Sequence, residues 1–275
     1  MPTGYIFDVE FCWGFQACIA GLSKTSPSFY YPPPTTVLGA IAETLAKEYK
    51  IGEDKGRELI PKLSEELLAL GVRPLNCTPM RYEDINRRIA VKVTGGKLYP
   101  DPKDLKGSFD SPASGKTILS TLDENAPKLR FFAVFNDCEV SFRNLKVRLN
   151  ENAFWKIHRI GTKESIVSVS EVKKIEKLSV VNGPVKTNYS FPKLDGIKPI
   201  KKLQDRWEYE NYVNPFRIKK YNPIDYHLKE GEIVTYYIPI MSSSLFSRTP
   251  EYYVALEKYI CYIYSDERII GRWSK

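Results

Sequence analysis

The sequence predicts an α+β fold, with a ferredoxin-like (RRM-like) βαββαβ unit in about its first 175 residues and a smaller β-rich domain over 176–275. Three observations carry that reading. Tyr5, Phe7, Val9, Phe11, Trp13 and Phe15 alternate along residues 4–20 with the period of a strand. Pro32, Pro33 and Pro34 then stiffen the chain directly ahead of Val37, Leu38, Ala40 and Ile41, an apolar run at helical spacing. Beyond about Lys173 the punctuation changes. There Asn182-Gly183-Pro184, Pro192, Pro199 and Pro223 separate basic loops from two long β-patterned runs, Glu232 to Met241 and Glu251 to Tyr264.

After a polar loop from Ser23 to Ser28, the first helix is expected from about Pro34 to Tyr49, with Thr35 or Thr36 as its cap. A second helical pattern covers Gly52 to Gly71. It places Leu59, Ile60, Leu63, Leu67 and Leu68 on one side and uses Gly71 as a C-cap. Strand-like sequence follows Arg73 and Pro74 to about Val93. From there to Lys128 the chain is crowded with Gly, Pro, Ser, Lys and Asp, an insertion long enough to be read as functional or disordered. Strand patterns resume at Leu129 to Phe135 and at Glu139 to Leu149; a short helix at Asn152 to Lys156 and a strand from Ile166 to Val169 complete the unit. In such a unit the helices cover one sheet face and leave the other available.

A hydrophobic content of 43% supports a sizeable core, and a net charge of +8 favours an acidic partner. Aromatic residues make up 13% of the chain, 18 of them Tyr, which suits single-stranded nucleic acid: cations meet its backbone and ring faces meet its bases. Cys12, Cys18, Cys77, Cys138 and Cys261 are odd in number and lack CxxC spacing, so they read as reduced thiols of a cytoplasmic protein. No basic leader precedes the first strand, and no stretch reaches the roughly 18 apolar residues of a membrane span, so neither secretion nor a membrane location is expected. His158 and His227 complete no familiar zinc spacing, and no metal or cofactor is expected. Hydrolase elbows of the Gly-x-Ser-x-Gly kind are absent from the sequence. The stretch Asp110-Ser-Pro-Ala-Ser-Gly-Lys-Thr117 approaches a phosphate-binding loop, but Asp110 stands where the first glycine is required. Nucleotide hydrolysis is therefore rejected, and Lys116 reads as a cation on a solvated loop.

Two stretches remain as candidate sites. The first, Tyr30-Tyr-Pro-Pro-Pro-Thr-Thr-Val-Leu-Gly-Ala40, exposes helix-start amides that could receive a phosphate, or else is a structural connection between strand and helix. The second, Lys156-Ile-His-Arg-Ile-Gly-Thr-Lys-Glu-Ser165, gathers three cations, a histidine, a glycine and two hydroxyls just before a strand. Such a turn can hold RNA phosphates with side chains and amides together, or simply be a solvated basic turn. Arg87, Arg88 and Lys92, with Lys97, Lys103, Lys106 and Lys116 inside the insertion, form a second basic stretch.

Together the two stretches resemble the paired signatures of the CRISPR-associated protein family five, of the RAMP superfamily. The first is similar to the family's Pro-x-Pro-Thr-x-x-x-Gly-Ala helix start. The second, Arg159-Ile-Gly-Thr-Lys-Glu-Ser-Ile-Val-Ser-Val169, is similar to its Arg-Ile-Gly-x-Lys-x-Ser turn. Coverage is about the first 175 residues, and the length and Tyr-rich, Lys-rich composition look most like the archaeal subtype I-A. The resemblance implies a RAMP domain with an inserted β-hairpin thumb over about 90–128 and a β-rich C-terminal domain. It also implies a non-catalytic subunit of a type I (Cascade) interference complex. Such a subunit grips the five-prime handle of the crRNA, caps the backbone of RAMP subunits and meets target DNA indirectly.

The RNA-binding residues so implied are Tyr30, Tyr31, Thr35, Thr36, Arg87, Arg88, Lys92, Lys116, Lys156, His158, Arg159, Gly161, Lys163 and Ser165, with Tyr30 and Tyr31 as stacking candidates. One branch of the family cleaves precursor crRNA without metal through Tyr, Lys and His side chains, and Tyr30 or Tyr31, Lys156 and His158 offer the right types. That branch places its Lys and His side by side, whereas Ile157 separates them here. A metal-independent endoribonuclease is thus the alternative.

Overall fold

The computed structural model describes residues 1–17, 27–82, 90–91, 109–110, 115–121, 123–202, 207–219, 232–240 and 250–274. In chain order the elements are β1 (Thr3–Phe11), β2 (Gly14–Phe15), α1 (Pro34–Glu48), α2 (Glu53–Gly56), α3 (Leu59–Glu66), β3 (Leu67–Pro74), β4 (Cys77–Tyr82), β5 (Ala90–Val91), β6 (Phe109–Asp110), β7 (Lys116–Thr121), β8 (Lys128–Phe135), β9 (Glu139–Phe142), β10 (Leu145–Arg148), α4 (Glu151–Trp155) and β11 (Val167–Ile175). The remaining elements among the described residues are strands: β12 (Ser179–Val181), β13 (Pro184–Thr187), β14 (Phe191–Pro192), β15 (Ile197–Lys202), β16 (Trp207–Val213), β17 (Ile233–Pro239), β18 (Tyr252–Leu256), β19 (Ile260–Tyr264) and β20 (Glu267–Gly271). The fold is mixed, mostly strands with few helices.

The alternating N-terminal run forms the inner strand β1 of an antiparallel sheet ordered β11-β1-β8-β3. Its odd positions Tyr5, Phe7, Val9 and Phe11 are buried in the largest core, together with Val37, Leu38, Ile41 and Leu45 of α1, Leu63 of α3 and Phe154 of α4. Phe154 stacks on Tyr5 with ring centres 4.4 Å apart, and Phe7 stacks on Phe131 at 5.2 Å. Burying a ring of this size contributes about 1.5–3 kcal/mol.

The other sheet face, expected to be open, is covered. Ile6, Leu68, Ala69, Phe132 and Val134 pack against Tyr189, Ile260, Tyr262 and Ile269 from the C-terminal part. Where that face turns polar it is closed by ion pairs: Arg130 reaches Asp8 at 2.6 Å and Glu267 at 2.7 Å, and Arg73 reaches Glu267 at 2.7 Å. The even positions of β1 and β8 are apolar enough to need a partner layer, and β19 and β20 supply it. The inner strands of this face are therefore closed to nucleic acid, while Glu171 and Lys173 of the edge strand β11 stay exposed.

Other expectations are corrected locally. Helix is replaced by strand at Leu67–Pro74, because Leu67, Leu68, Ala69 and Leu70 are all buried, a pattern for a strand covered on both faces rather than one helical stripe. The guanidinium of Arg272 also binds the carbonyl of Leu67 where α3 ends. Gly71, expected as a cap, lies in β3, where an added Cβ would meet the Ser190 carbonyl at 2.6 Å. Neither Thr35 nor Thr36 caps α1. Its N-cap is Pro33, without a side-chain hydrogen bond, and the amide of Thr36 donates to the Pro33 carbonyl at 2.9 Å. Lys116 and Thr117, compared above with a phosphate loop, begin strand β7. Residues 139–149 form a β9-β10 hairpin turning at Arg143 rather than one strand.

Among the described residues the C-terminal part holds three small sheets, β12-β19-β20, β13-β18-β15 and β14-β17-β16. Phe191 packs against Trp207, Tyr237 and Tyr252 in a core of its own. Tyr212, Val213, Phe216, Val234 and Tyr236 instead join the large core around α1. Among the described residues Cys12, Cys77, Cys138 and Cys261 are free thiols; Cys18 lies outside them. No helix among the described residues is long and apolar enough to cross a membrane.

Candidate nucleic-acid interface

The basic turn links α4 to β11, and its shape follows from a few anchors. Asn150 starts α4 by accepting the Ala153 amide on Oδ1 at 3.1 Å. Ile157 and Ile160 are buried in the large core on either side of exposed His158. The amide of Val167 donates to the His158 carbonyl at 3.0 Å and that of Ile160 to the Ser165 carbonyl at 3.1 Å, so the segment doubles back on itself. Gly161 sits at φ +119°, where a Cβ would come within 2.7 Å of the Gln16 carbonyl. That carbonyl accepts the Thr162 amide at 3.0 Å. Ser165 is fully buried and its Oγ accepts the Gln16 amide at 2.9 Å. Gly161 and Ser165 therefore lock the turn onto the end of β2, and the Ser165 hydroxyl is not available to a phosphate.

The cations divide in a way the sequence does not show. Lys156 pairs with Glu48 at 2.9 Å, and Arg159 pairs with Glu43 at 3.1 Å, both acids belonging to α1. His158 Nε2 lies 3.9 Å from the same Glu43 carboxylate, which Lys47 also contacts at 2.9 Å. Partial burial pushes the Glu43 carboxyl up, but its bonds with Lys47 and Arg159 outweigh this and hold it below the ordinary glutamate value. Lys163 is exposed and pairs with no carboxylate among the described residues. Next to it, the carbonyl of Glu164 accepts the indole N–H of Trp13 at 3.0 Å, and Lys116 Nζ lies 5.6 Å from the centre of the Trp13 ring.

The proline segment is displaced from its expected role. Tyr31 is fully buried, its hydroxyl donating to the Pro239 carbonyl at 2.7 Å, and burial holds its pKa well above 10. It can neither stack on a base nor exchange a proton. Tyr30 is half-buried with the Arg81 guanidinium 3.6 Å from its ring centre. Its amide donates to Glu210 at 2.7 Å, while Glu210 also pairs with Arg81 and accepts the Tyr212 hydroxyl at 2.5 Å. Desolvation pushes the Glu210 carboxyl up, only partly offset by these partners. Thr35 and Thr36 lie half-buried in the first turn of α1. Arg87, Arg88 and Lys92 fall outside the described residues.

The structure thus gathers Lys156, His158, Arg159, Gly161, Lys163 and Ser165 in one turn and joins Lys116 to it through Trp13. For strand cleavage the alternative set is depleted: Tyr31 is sealed in the core, Lys156 is engaged by Glu48, and His158 faces Glu43. Residues not anticipated are Trp13, Glu43, Arg81, Tyr82 and Glu210. The available signal was Arg81-Tyr82, a basic and aromatic pair shortly ahead of Arg87 and Arg88.

Residues 4–247 match a family model described as CRISPR-associated protein (Cas_Cas5). The chain is 27% identical over 245 residues to the CRISPR system aCascade subunit Cas5 1 of Saccharolobus solfataricus, covering 87% of this chain and 88% of that protein. It is equally similar, at 27% over 245 residues, to the CRISPR-associated protein Cas5 3 of the same organism. A solved structure described as a CRISPR protein from Archaeoglobus fulgidus aligns with a TM-score of 0.73 and 48% identity, covering 99% of this chain and 100% of that one. With that family model spanning most of its length, the chain belongs to the CRISPR-associated Cas5 family.

Proposed function

We propose that this chain is a non-catalytic subunit of a cytoplasmic type I Cascade complex, binding the five-prime handle of crRNA and capping the RAMP backbone. The observation that carries the reading is the 156–166 turn: locked by Gly161, Ser165 and Gln16, it keeps Lys163 exposed, and its Glu164 carbonyl holds the Trp13 indole that Lys116 approaches. Rigid presentation of cations next to an aromatic ring suits a single-stranded backbone and its bases. Lys156, His158 and Arg159 belong to the same turn, and Tyr30, Arg87, Arg88 and Lys92 stay in the proposed set on the sequence resemblance. The βαββαβ order and the sheet order β11-β1-β8-β3 support a ferredoxin-like RAMP domain over about 1–175, with the rest a β-rich second domain. The pairing of Ala90 with Asp110 suits the base of a hairpin thumb. Similarity to a named aCascade subunit supports the assembly. Target DNA is met only through the guide, and the chain acts without metal or cofactor.

The test is a comparison of affinities in chelator for RNA ending in the repeat-derived handle and for unrelated RNA of equal length. Handle RNA is expected to bind more tightly, with a steep salt dependence, and to stay intact. Equal affinity for the two RNAs would sink the specific claim, and cleavage lost in His158→Ala would restore the nuclease.

A further inference from the structure

The small sheet β2-β7-β4 turns one face to the core and the other to solvent. Along β4 and β7, Thr78 stands opposite Ser120, Met80 opposite Ile118, and Tyr82 opposite Lys116. Strand alternation sends Cys77, Pro79, Thr117 and Leu119 inward, where they are buried. It leaves Met80 48% exposed, Tyr82 55% and Ile118 36%. β2 adds Gly14 opposite Ile118, directly after Trp13, whose ring lies under Lys116.

The outer face therefore carries Tyr82, Met80, Ile118 and Lys116, and half-buried Trp13, just ahead of β2, adjoins it through Lys116. Lys163 stands at one border, beside the Glu164 carbonyl that holds the Trp13 indole. Clustered exposed apolar and aromatic side chains mark a binding surface. What they bind is decided by the charges: cations interleaved with π-faces suit a ligand with flat rings on an anionic backbone. An apolar protein patch would use Met80 and Ile118 but gain nothing from an ammonium over an indole.

The geometry points to this face as a base-stacking platform for unpaired guide nucleotides, an inference that rests on the RNA-binding reading above. Bases lie against Tyr82 and Trp13, with Met80 and Ile118 beneath, while Lys116 and Lys163 meet the phosphates. This is not the sheet face that RRM-like domains offer, which the C-terminal strands cover here.

The experiment uses the full chain with handle RNA and with the same RNA carrying abasic residues on an intact ribose–phosphate backbone. Stacking is worth about 1–3 kcal/mol per base, so each stacked base removed is expected to weaken binding about 5- to 150-fold. Tyr82→Ala is expected to lose a comparable factor on intact RNA and little more on abasic RNA; Tyr82→Phe keeps the ring and is expected to bind like the parent. Tyr82 is exposed, so the melting curves of both variants are expected to match the parent's and serve as the control for folding. If intact and abasic RNA bind equally and Tyr82→Ala changes nothing, the platform is refuted while RNA binding stands. If the parent chain binds no RNA, the reading beneath it fails. If Tyr82→Ala leaves RNA binding intact but blocks assembly with a backbone subunit, the face is a protein-docking surface and the inference is overturned.

Discussion

Replacing Gly161 by alanine strikes the turn at its tightest point. The backbone there has φ +119°, a region that side chains rarely adopt, and the new methyl would stand 2.7 Å from the Gln16 carbonyl and 2.9 Å from Ser165 Oγ. Backbone strain of this kind costs about 1–3 kcal/mol. The collision adds more, because the Gln16 carbonyl is the acceptor for the Thr162 amide at 3.0 Å, a hydrogen bond with a net worth of about 1 kcal/mol. Gly183 separates the two effects: its φ is +124°, but nothing lies within 4 Å of an added Cβ. Gly183→Ala thus reports strain alone, and Gly161→Ala reports strain plus collision. At about 2–4 °C per kcal/mol for a chain of this size, Gly161→Ala is expected to melt several degrees below Gly183→Ala. Handle RNA binding is expected to weaken in Gly161→Ala and to be unchanged in Gly183→Ala. Equal melting of the two variants, with equal RNA affinity, would refute the locked-turn reasoning.

Salt titration distinguishes the cations: Lys163→Ala is expected to lower the slope of log affinity against log salt by about one, and Arg159→Ala by less, because Glu43 already neutralises Arg159. Tyr31→Phe removes a buried hydrogen bond to Pro239, so denaturant unfolding should show a loss of about 1–2 kcal/mol with no change in RNA affinity. Glu210→Ala removes the acceptor of the part-buried Tyr30 amide, while Arg81 is 39% exposed and the Tyr212 hydroxyl also reaches the Tyr31 carbonyl at 3.4 Å, so the expected loss is about 1–3 kcal/mol, readable in the same unfolding assay. Burial pushes the Glu267 carboxyl up, but bonds from Arg73 and Arg130 hold it below the ordinary value. Its stabilisation is therefore present above about pH 4.5 and lost as the pH falls through the folded value, so Glu267→Gln should flatten the acid limb of the stability curve.

Much of the N-terminal half was legible in the sequence because its signals are local. The alternation through Tyr5, Phe7, Val9 and Phe11 and the Pro34 helix start each specify an element without help from elsewhere. Leu67 to Leu70 misled because a run buried on both faces has no period to read, and only the packing of β3 between two layers decides it. The closed sheet face was illegible for a related reason: the layer that covers it comes from residues nearly 200 positions away, as in the pair Arg73–Glu267. At the site, spacing placed the turn correctly but carried no information on which cations face carboxylates of α1. Tyr31 reads in the sequence as a stacking candidate, and its burial depends on Pro239, far along the chain. Trp13 and Tyr82 are brought to Lys116 only when β2, β7 and β4 pair.

The central claim is that the 156–166 turn and the neighbouring β2-β7-β4 sheet hold the guide RNA. The most direct measurement is photo-crosslinking of handle RNA carrying 4-thiouridine to the full chain, with the linked peptides identified by mass spectrometry. Crosslinks are expected in peptides containing Trp13, Tyr82 or the 156–166 turn, and to diminish in Lys163→Ala. Crosslinks confined to the C-terminal strands β12 to β20, unchanged in that variant, would contradict the account.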